Sequence, residues 1–186
     1  MASKAFLDTN VLLYLLSADA AKAARAEELV GAGGVISVQV LNEFACVASR
    51  KLGMSIPEIC ECLEPIARLC RIEPLTPQTH ARGLEIAARY GFSVYDSMIV
   101  AAALLSGCDT LYSEDLHHRQ RVDELLIRNP FAAGKQVSWD TPGIPRGQHG
   151  RADWANGVCP HFANIRHPRS PECGMARLMR TVVTIP

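Results

Sequence analysis

Four acidic residues stand out by the company they keep: Asp8, Glu43, Asp96 and Asp115. Asp8 ends the apolar run Ala5-Phe6-Leu7 and is followed by the small polar pair Thr9-Asn10. Asp115 closes the stretch Leu111-Tyr112-Ser113-Glu114-Asp115. Glu43 lies about two turns into a helix-like segment after Val35-Ile36, and Asp96 heads the apolar run Met98–Leu104. Carboxylates gathered in one place repel one another and raise some of their own pKa values, and a divalent cation converts that repulsion into a binding site. Mg2+ and Mn2+ prefer oxygen ligands and keep several waters. Hydrolysis of a phosphodiester needs an activated water and a stabilised leaving oxygen, which such ions supply. The chemistry to expect is therefore metal-assisted phosphodiester cleavage.

Taken singly, each acid has an ordinary structural role open to it. Asp8 suits the cap of the helix that follows. Asp96 fits the last position of a capping box begun by Ser93. Glu114 and Asp115 fit a first helical turn, where the dipole favours negative charge. Glu43 suits a solvated surface. Context weighs against these roles taken together. An acid at the head of a helix as apolar as Met98–Leu104 is costly to leave unpaired, and Thr9 and Asn10 are placed to orient Asp8.

The elements that must position these residues follow from punctuation and periodicity. Lys4–Leu7 predicts a short buried strand, and Val11–Ser17 a helix. Ala18–Ala32 is rich in Ala, Glu and Arg and ends in glycines, as a helix does. Val35-Ile36 predicts a second strand, and Ser37 caps a helix to about residue 51. Ser55-Ile56-Pro57-Glu58 is a capping box with proline in the first turn, opening a helix to about residue 70. Arg71–Leu75 predicts a third strand. Thr76-Pro77 opens a helix ended by Gly91, and Ser93 opens another that runs to Gly107. Asp109–Tyr112 and Leu125–Arg128 predict the fourth and fifth strands. Strands alternate with helices throughout, which argues for an α/β sandwich around a mainly parallel sheet. Ligands of such sheets bind beyond the carboxyl ends of the strands. Asp8 and Asp115 follow strands directly there, and Glu43 follows one through its helix.

Four segments together carry a family resemblance. They are Phe6-Leu7-Asp8-Thr9-Asn10-Val11-Leu12, Asn42-Glu43, Tyr95-Asp96-Ser97-Met98-Ile99-Val100-Ala101-Ala102-Ala103 and Leu111-Tyr112-Ser113-Glu114-Asp115-Leu116. In this order, over about residues 4–131 with their Asn129-Pro130-Phe131 ending, they resemble the PIN domain, and within it the VapC-type toxins of toxin–antitoxin pairs. The resemblance implies a three-layer α/β/α fold that cleaves RNA with Mg2+ or Mn2+. It implies Asp8 and Asp96 as the principal metal ligands. Glu43 and Asp115 would complete an acidic quartet, directly or through water, and Thr9, Asn10 and Ser113 would support it. Asp115 rather than Glu114 is favoured by the Ser-Glu-Asp pattern. The resemblance further implies an RNA substrate, a cognate antitoxin and a homodimer. Two other functions stay open: a non-toxin metal-dependent phosphoesterase such as a DNA nuclease, and a non-catalytic RNA-binding module of the same kind.

Composition sets the bounds. Of 186 residues, 48% are hydrophobic and 20% charged, as in a globular protein with a real core. The net charge is zero but unevenly spread: residues 1–134 carry 12 Lys+Arg against 16 Asp+Glu, and residues 135–186 carry 7 against 3. The body therefore lacks the basic surplus that advertises nucleic-acid binding, so metal ions or local basic residues must offset phosphate charge. The domain is expected to span residues 1–133. Residues 134–186 read as an irregular, Gly- and Pro-rich basic extension with no part in the domain's function.

Seven cysteines, an odd and scattered number, fit reduced thiols in a cytoplasmic protein. No signal peptide precedes the first strand, and Met98–Ser106 is too short to span a membrane. Cys159, His161, His167 and Cys173 lack a common zinc-finger spacing. His117-His118 suits a solvated turn, and Cys60-Glu61-Cys62 lacks redox spacing. No Walker loop or dinucleotide glycine fingerprint is present.

Overall fold

The computed structural model describes residues 4–132. The extension expected at 134–186, with Cys159, His161, His167 and Cys173, lies outside the described residues.

A six-stranded sheet organises the chain. The strands are β1 (Ala5–Leu7), β2 (Gly34–Ser37), β3 (Cys70–Glu73), β4 (Thr110–Tyr112), β5 (Arg121–Val122) and β6 (Leu125–Arg128), in the order β3-β2-β1-β4-β6-β5. All neighbours are parallel except β5, which runs antiparallel to β6. β1 is central, pairing Phe6 with Val35 on one side and Leu7 with Tyr112 on the other. The α/β expectation with a mainly parallel sheet holds.

Six helices connect the strands: α1 (Thr9–Leu13), α2 (Ala20–Gly31), α3 (Val38–Leu52), α4 (Ile56–Leu69), α5 (Pro77–Tyr90) and α6 (Val94–Leu105). From β1 the chain steps outward to β2 and β3, then returns across β2 and β1 to β4. Right-handed crossovers send connections of opposite direction to opposite faces. In accord, α2 packs with α4, and α4 with β3, while α5 packs with α6, and α6 with β2 and β4. The sheet is thus flanked by helices on both faces, and α3 touches α4 and α6 alike.

Helix starts follow the capping residues in the sequence. Ser55 N–H and Oγ both donate to Glu58 Oε2, at 2.8 and 2.7 Å. Thr76 Oγ1 accepts from Thr79 N–H at 3.1 Å. α5 ends at Gly91, whose φ of 73° lies in the left-handed region that a side chain disfavours. Helix α6 is the most apolar, buried continuously from Ser97 to Ala103.

Three local expectations differ from the structure. The helix expected at Val11–Ser17 starts at Thr9 and tightens into a 3-10 turn at Tyr14–Leu16, because Asp8 itself caps it. The third strand begins at Cys70 and stops at Glu73. Strand β5 was not expected. Two residues carry no periodicity, and β5 exists because the adjoining loop is clamped on β6: Ile127 N–H donates to Gln120 O at 2.9 Å and Arg119 N–H to Ile127 O at 2.8 Å.

One hydrophobic cluster runs through the sheet and both helical layers, from Phe6 to Ile127, with Phe131 packed against it. No helix among the described residues is long and apolar enough to cross a membrane. The five described cysteines are free thiols.

Candidate functional site

β1 and β4 lie side by side, and the chain leaves them in opposite directions, so a crevice opens at their carboxyl ends. Backbone bonds align those ends. Asp8 N–H donates to Tyr112 O at 3.0 Å, and Ser113 N–H to Arg128 O at 3.0 Å. Asp8 and Ser113, 105 positions apart, are thereby neighbours.

Asp8 is 4% exposed and accepts on both carboxylate oxygens. Thr9 N–H donates to Oδ1 at 2.6 Å. Asn10 Nδ2 and Ser113 Oγ donate to Oδ2 at 2.9 and 2.6 Å. Its capping role is real, but the cap uses one oxygen and the crevice the other. Burial pushes the Asp8 carboxyl up to about 8, opposed by the Ser113 hydrogen bond and reinforced by the charges of Asp96, Asp115 and Glu43.

Glu43 comes from α3, which Ser37 starts at the end of β2. Gln39, one turn earlier on the same helix, donates from Nε2 to Glu43 Oε1 at 2.8 Å, and Thr9 Oγ1 donates to Oε2 at 3.0 Å. Burial raises the Glu43 pKa against those two bonds, and the charges of Asp96 and Asp115 add to the rise. Asp96 sits in the first turn of α6. Ser93 Oγ donates to its Oδ2 at 2.6 Å and accepts from its N–H at 3.1 Å. Its pKa is raised too, by burial first, with Ser93 opposing and Asp115 contributing.

Asp115 is exposed and joins the group through Asn10, whose Nδ2 lies 3.3 Å from Asp115 Oδ2 and 3.4 Å from Ser113 Oγ. Asn10 Oδ1 accepts from Glu114 N–H at 3.3 Å. The Glu114 side chain turns elsewhere, onto Lys22 and Tyr14. The structure thus brings Asp8, Glu43, Asp96 and Asp115 into mutual electrostatic contact, with Thr9, Asn10 and Ser113 between them.

Gln39 is a supporting residue not foreseen from the sequence. Its signal was the i, i+4 spacing to Glu43, which places two residues on one helix face. Tyr14 and Lys22 left no sequence signal, because their link to residue 114 is purely tertiary. His117 and His118 are exposed as expected, and His118 Nδ1 accepts from Asn129 N–H at 2.9 Å.

The donor set suits a hard divalent cation. It consists of carboxylates held by neutral donors, and among the described residues no Lys or Arg side chain is a hydrogen-bond partner of Asp8, Glu43 or Asp96. Among the described residues no three His, Cys, Asp or Glu side chains already stand at the spacing of ligands around one ion.

No curated protein sequence matches this chain. Solved structures share its fold. The sarcin-ricin loop cleaving toxin VapC20 from Mycobacterium tuberculosis matches with a TM-score of 0.50 and 21% identity, over 59% of this chain and 88% of that one. A toxin–antitoxin complex from Klebsiella pneumoniae gives 0.53 and 18%, over 69% and 98%. VapBC2 from Rickettsia felis, bound to a DNA fragment from their promoter, gives 0.50 and 19%, over 67% and 97%. At such identities the likeness is one of fold. The sequence profile of the PIN domain matches residues 5–124. That span holds β1 to β5 and all four acids, and the chain belongs to the PIN domain family.

Proposed function

We propose that this chain is a divalent-metal-dependent endoribonuclease and the toxin component of a toxin–antitoxin pair. The observation that carries this is the placement of Asp8: a buried carboxyl among the carboxyl groups of Asp96, Asp115 and Glu43, whose hydrogen-bond donors among the described residues are all neutral. Excess negative charge of that kind is what a divalent cation relieves.

Asp8 and Asp96 would be the principal ligands of Mg2+ or Mn2+, with Glu43 and Asp115 completing the set directly or through water. A bound ion supplies an activated water and charge stabilisation for phosphodiester hydrolysis. The chain's own groups do the positioning. Thr9 N–H, Asn10 and Ser113 hold the Asp8 carboxylate in one orientation. Thr9 and Gln39 fix Glu43 from opposite oxygens. Asn10 spans from Asp8 to Asp115 and so links the two strand-end acids. These supports are uncharged, so none neutralises the carboxylates ahead of a cation.

Membership of the PIN domain family and the fold shared with toxins of toxin–antitoxin complexes support RNA as substrate, an antitoxin as partner and a cytoplasmic site of action, and the resemblance to VapC-type toxins adds a homodimer as an expectation. A small antitoxin-like reading frame immediately upstream would support the toxin role.

The test uses purified protein on matched RNA and DNA strands with Mn2+. RNA should be cleaved and DNA spared. Excess EDTA should stop cleavage. Asp96→Asn should abolish it while the circular dichroism spectrum is kept. Full activity in EDTA or in the Asp96→Asn protein would refute the metal mechanism, and preferential cleavage of DNA would refute the substrate.

A further inference from the structure

We infer that Lys22 is a positioning residue for the acidic site: by holding Glu114 it sets which of two adjacent acids faces the crevice. The inference rests on the metal-site reading above. Three consecutive residues after β4 go to three different partners. Ser113 Oγ donates to Asp8, Glu114 is taken up by Lys22 and Tyr14, and Asp115 meets Asn10. In so short a segment the direction of one side chain constrains the next, so holding Glu114 outward holds Asp115 toward Asp8.

The hold is well built. Lys22 Nζ donates to Glu114 Oε1 at 2.8 Å and Oε2 at 3.2 Å, with side chains only 25% and 15% exposed. It also donates to Tyr14 OH at 2.8 Å, and Tyr14 OH donates in turn to Glu114. The ammonium lies 4.3 Å from the centre of the Tyr14 ring, and Phe131 packs edge-on against that ring at 4.5 Å between centres. Tyr14 is fully buried, so the anchor cannot swing. The pair also answers an electrostatic need. Glu114 follows Ser113 and precedes Asp115 in a crevice already holding four carboxyl groups, and an unpaired fifth acid would add to the charge gathered there. Lys22 cancels that charge locally without donating to Asp8, Glu43 or Asp96.

Calorimetric titration of the full chain with Mn2+ tests this, with thermal melting in EDTA as the control for folding. Lys22→Met keeps a long unbranched side chain and removes the charge. It should weaken Mn2+ binding about tenfold, the size typical of residues that orient ligands, while melting in EDTA stays cooperative at a lower Tm, since Glu114 loses its partner. Lys22→Arg should restore most of the affinity. Unchanged Mn2+ affinity in Lys22→Met overturns the inference and leaves the metal site standing. Equal loss in Lys22→Arg and Lys22→Met overturns it as well. Absence of Mn2+ binding by the unaltered protein overturns the metal reading and this inference with it.

Discussion

Asp8 is both a helix cap and a charge under pressure, and its titration has a definite sign. Its carboxyl lies at about 8 in the fold against an ordinary value of 3.8. Between those values the native state keeps a proton that the unfolded chain has released. Stability from this group is therefore complete below about pH 4 and is lost as pH rises toward 8. Glu43 and Asp96, also raised, act in the same direction. Melting in EDTA should show Tm falling between about pH 5 and pH 8, and saturating Mn2+ should reverse the slope, since metal binds the ionised carboxylate. A Tm in EDTA that rises over that range contradicts the prediction. Ser97 offers a second check. It is fully buried beside Asp96, and its hydroxyl has no hydrogen-bond partner among the described residues. Ser97→Ala should leave stability unchanged or raise it by about 1 kcal/mol, read from urea denaturation, because an unpaired buried hydroxyl costs more than a methyl. A clear loss of stability would show that the hydroxyl is paired after all.

At the scale of elements, α5 and α6 are the most extensively packed helix pair among the described residues, and Gly83 lies in their interface. A Cβ there would lie 2.6 Å from Met98 Sδ and 2.9 Å from its Cε. Alanine favours a helix over glycine by about 1 kcal/mol, but Met98 must move, and overpacking costs about 1–3 kcal/mol. Gly83→Ala should destabilise by about 1 kcal/mol net, and a second change, Met98→Ala, should cost less in that background than alone. Additive losses in urea denaturation would sink the steric account. The helix starts were legible because Ser55, Thr76 and Ser93 announce them chemically. Strand β5 was not, since its two residues are held by β6 rather than by any preference of their own. The same limit hid the break at Tyr14, where a helical apolar run tightens into a 3-10 turn.

For the whole molecule, the four acids and the match to the PIN domain profile, over residues 5–124, precede residue 133. A chain ending at Ala133 should accordingly unfold cooperatively and keep EDTA-sensitive RNA cleavage. Loss of either in thermal melts and cleavage assays would show that residues 134–186 contribute. The sheet order β3-β2-β1-β4-β6-β5 puts the ends of β1 and β4 together, so acids at positions 8 and 115 meet across most of the domain's length. The metal suggested for the site also fits the charge balance, since 12 basic against 16 acidic residues in 1–134 leave little cationic surface to meet a phosphate backbone.

From the sequence alone came the alternation of strands and helices, the caps, the four acids and the family they resemble. Those features rest on local chemistry: periodicity, hydrogen-bonding side chains next to helix starts, and apolar runs that must be buried. Asp8, Glu43, Asp96 and Asp115 could be chosen there, but each kept a local alternative as cap or surface acid. Only the tertiary structure decided that the four share one crevice, that Asp115 turns toward Asp8, and that Glu114 is taken up by Lys22. Gln39 as the prop of Glu43 was also decided there. Long-range pairing sets these outcomes: the Glu114–Lys22 link spans 92 positions, and no local preference of either residue encodes the other. The four acids thus remain the proposed site, but which of them face one another is a property of the sheet.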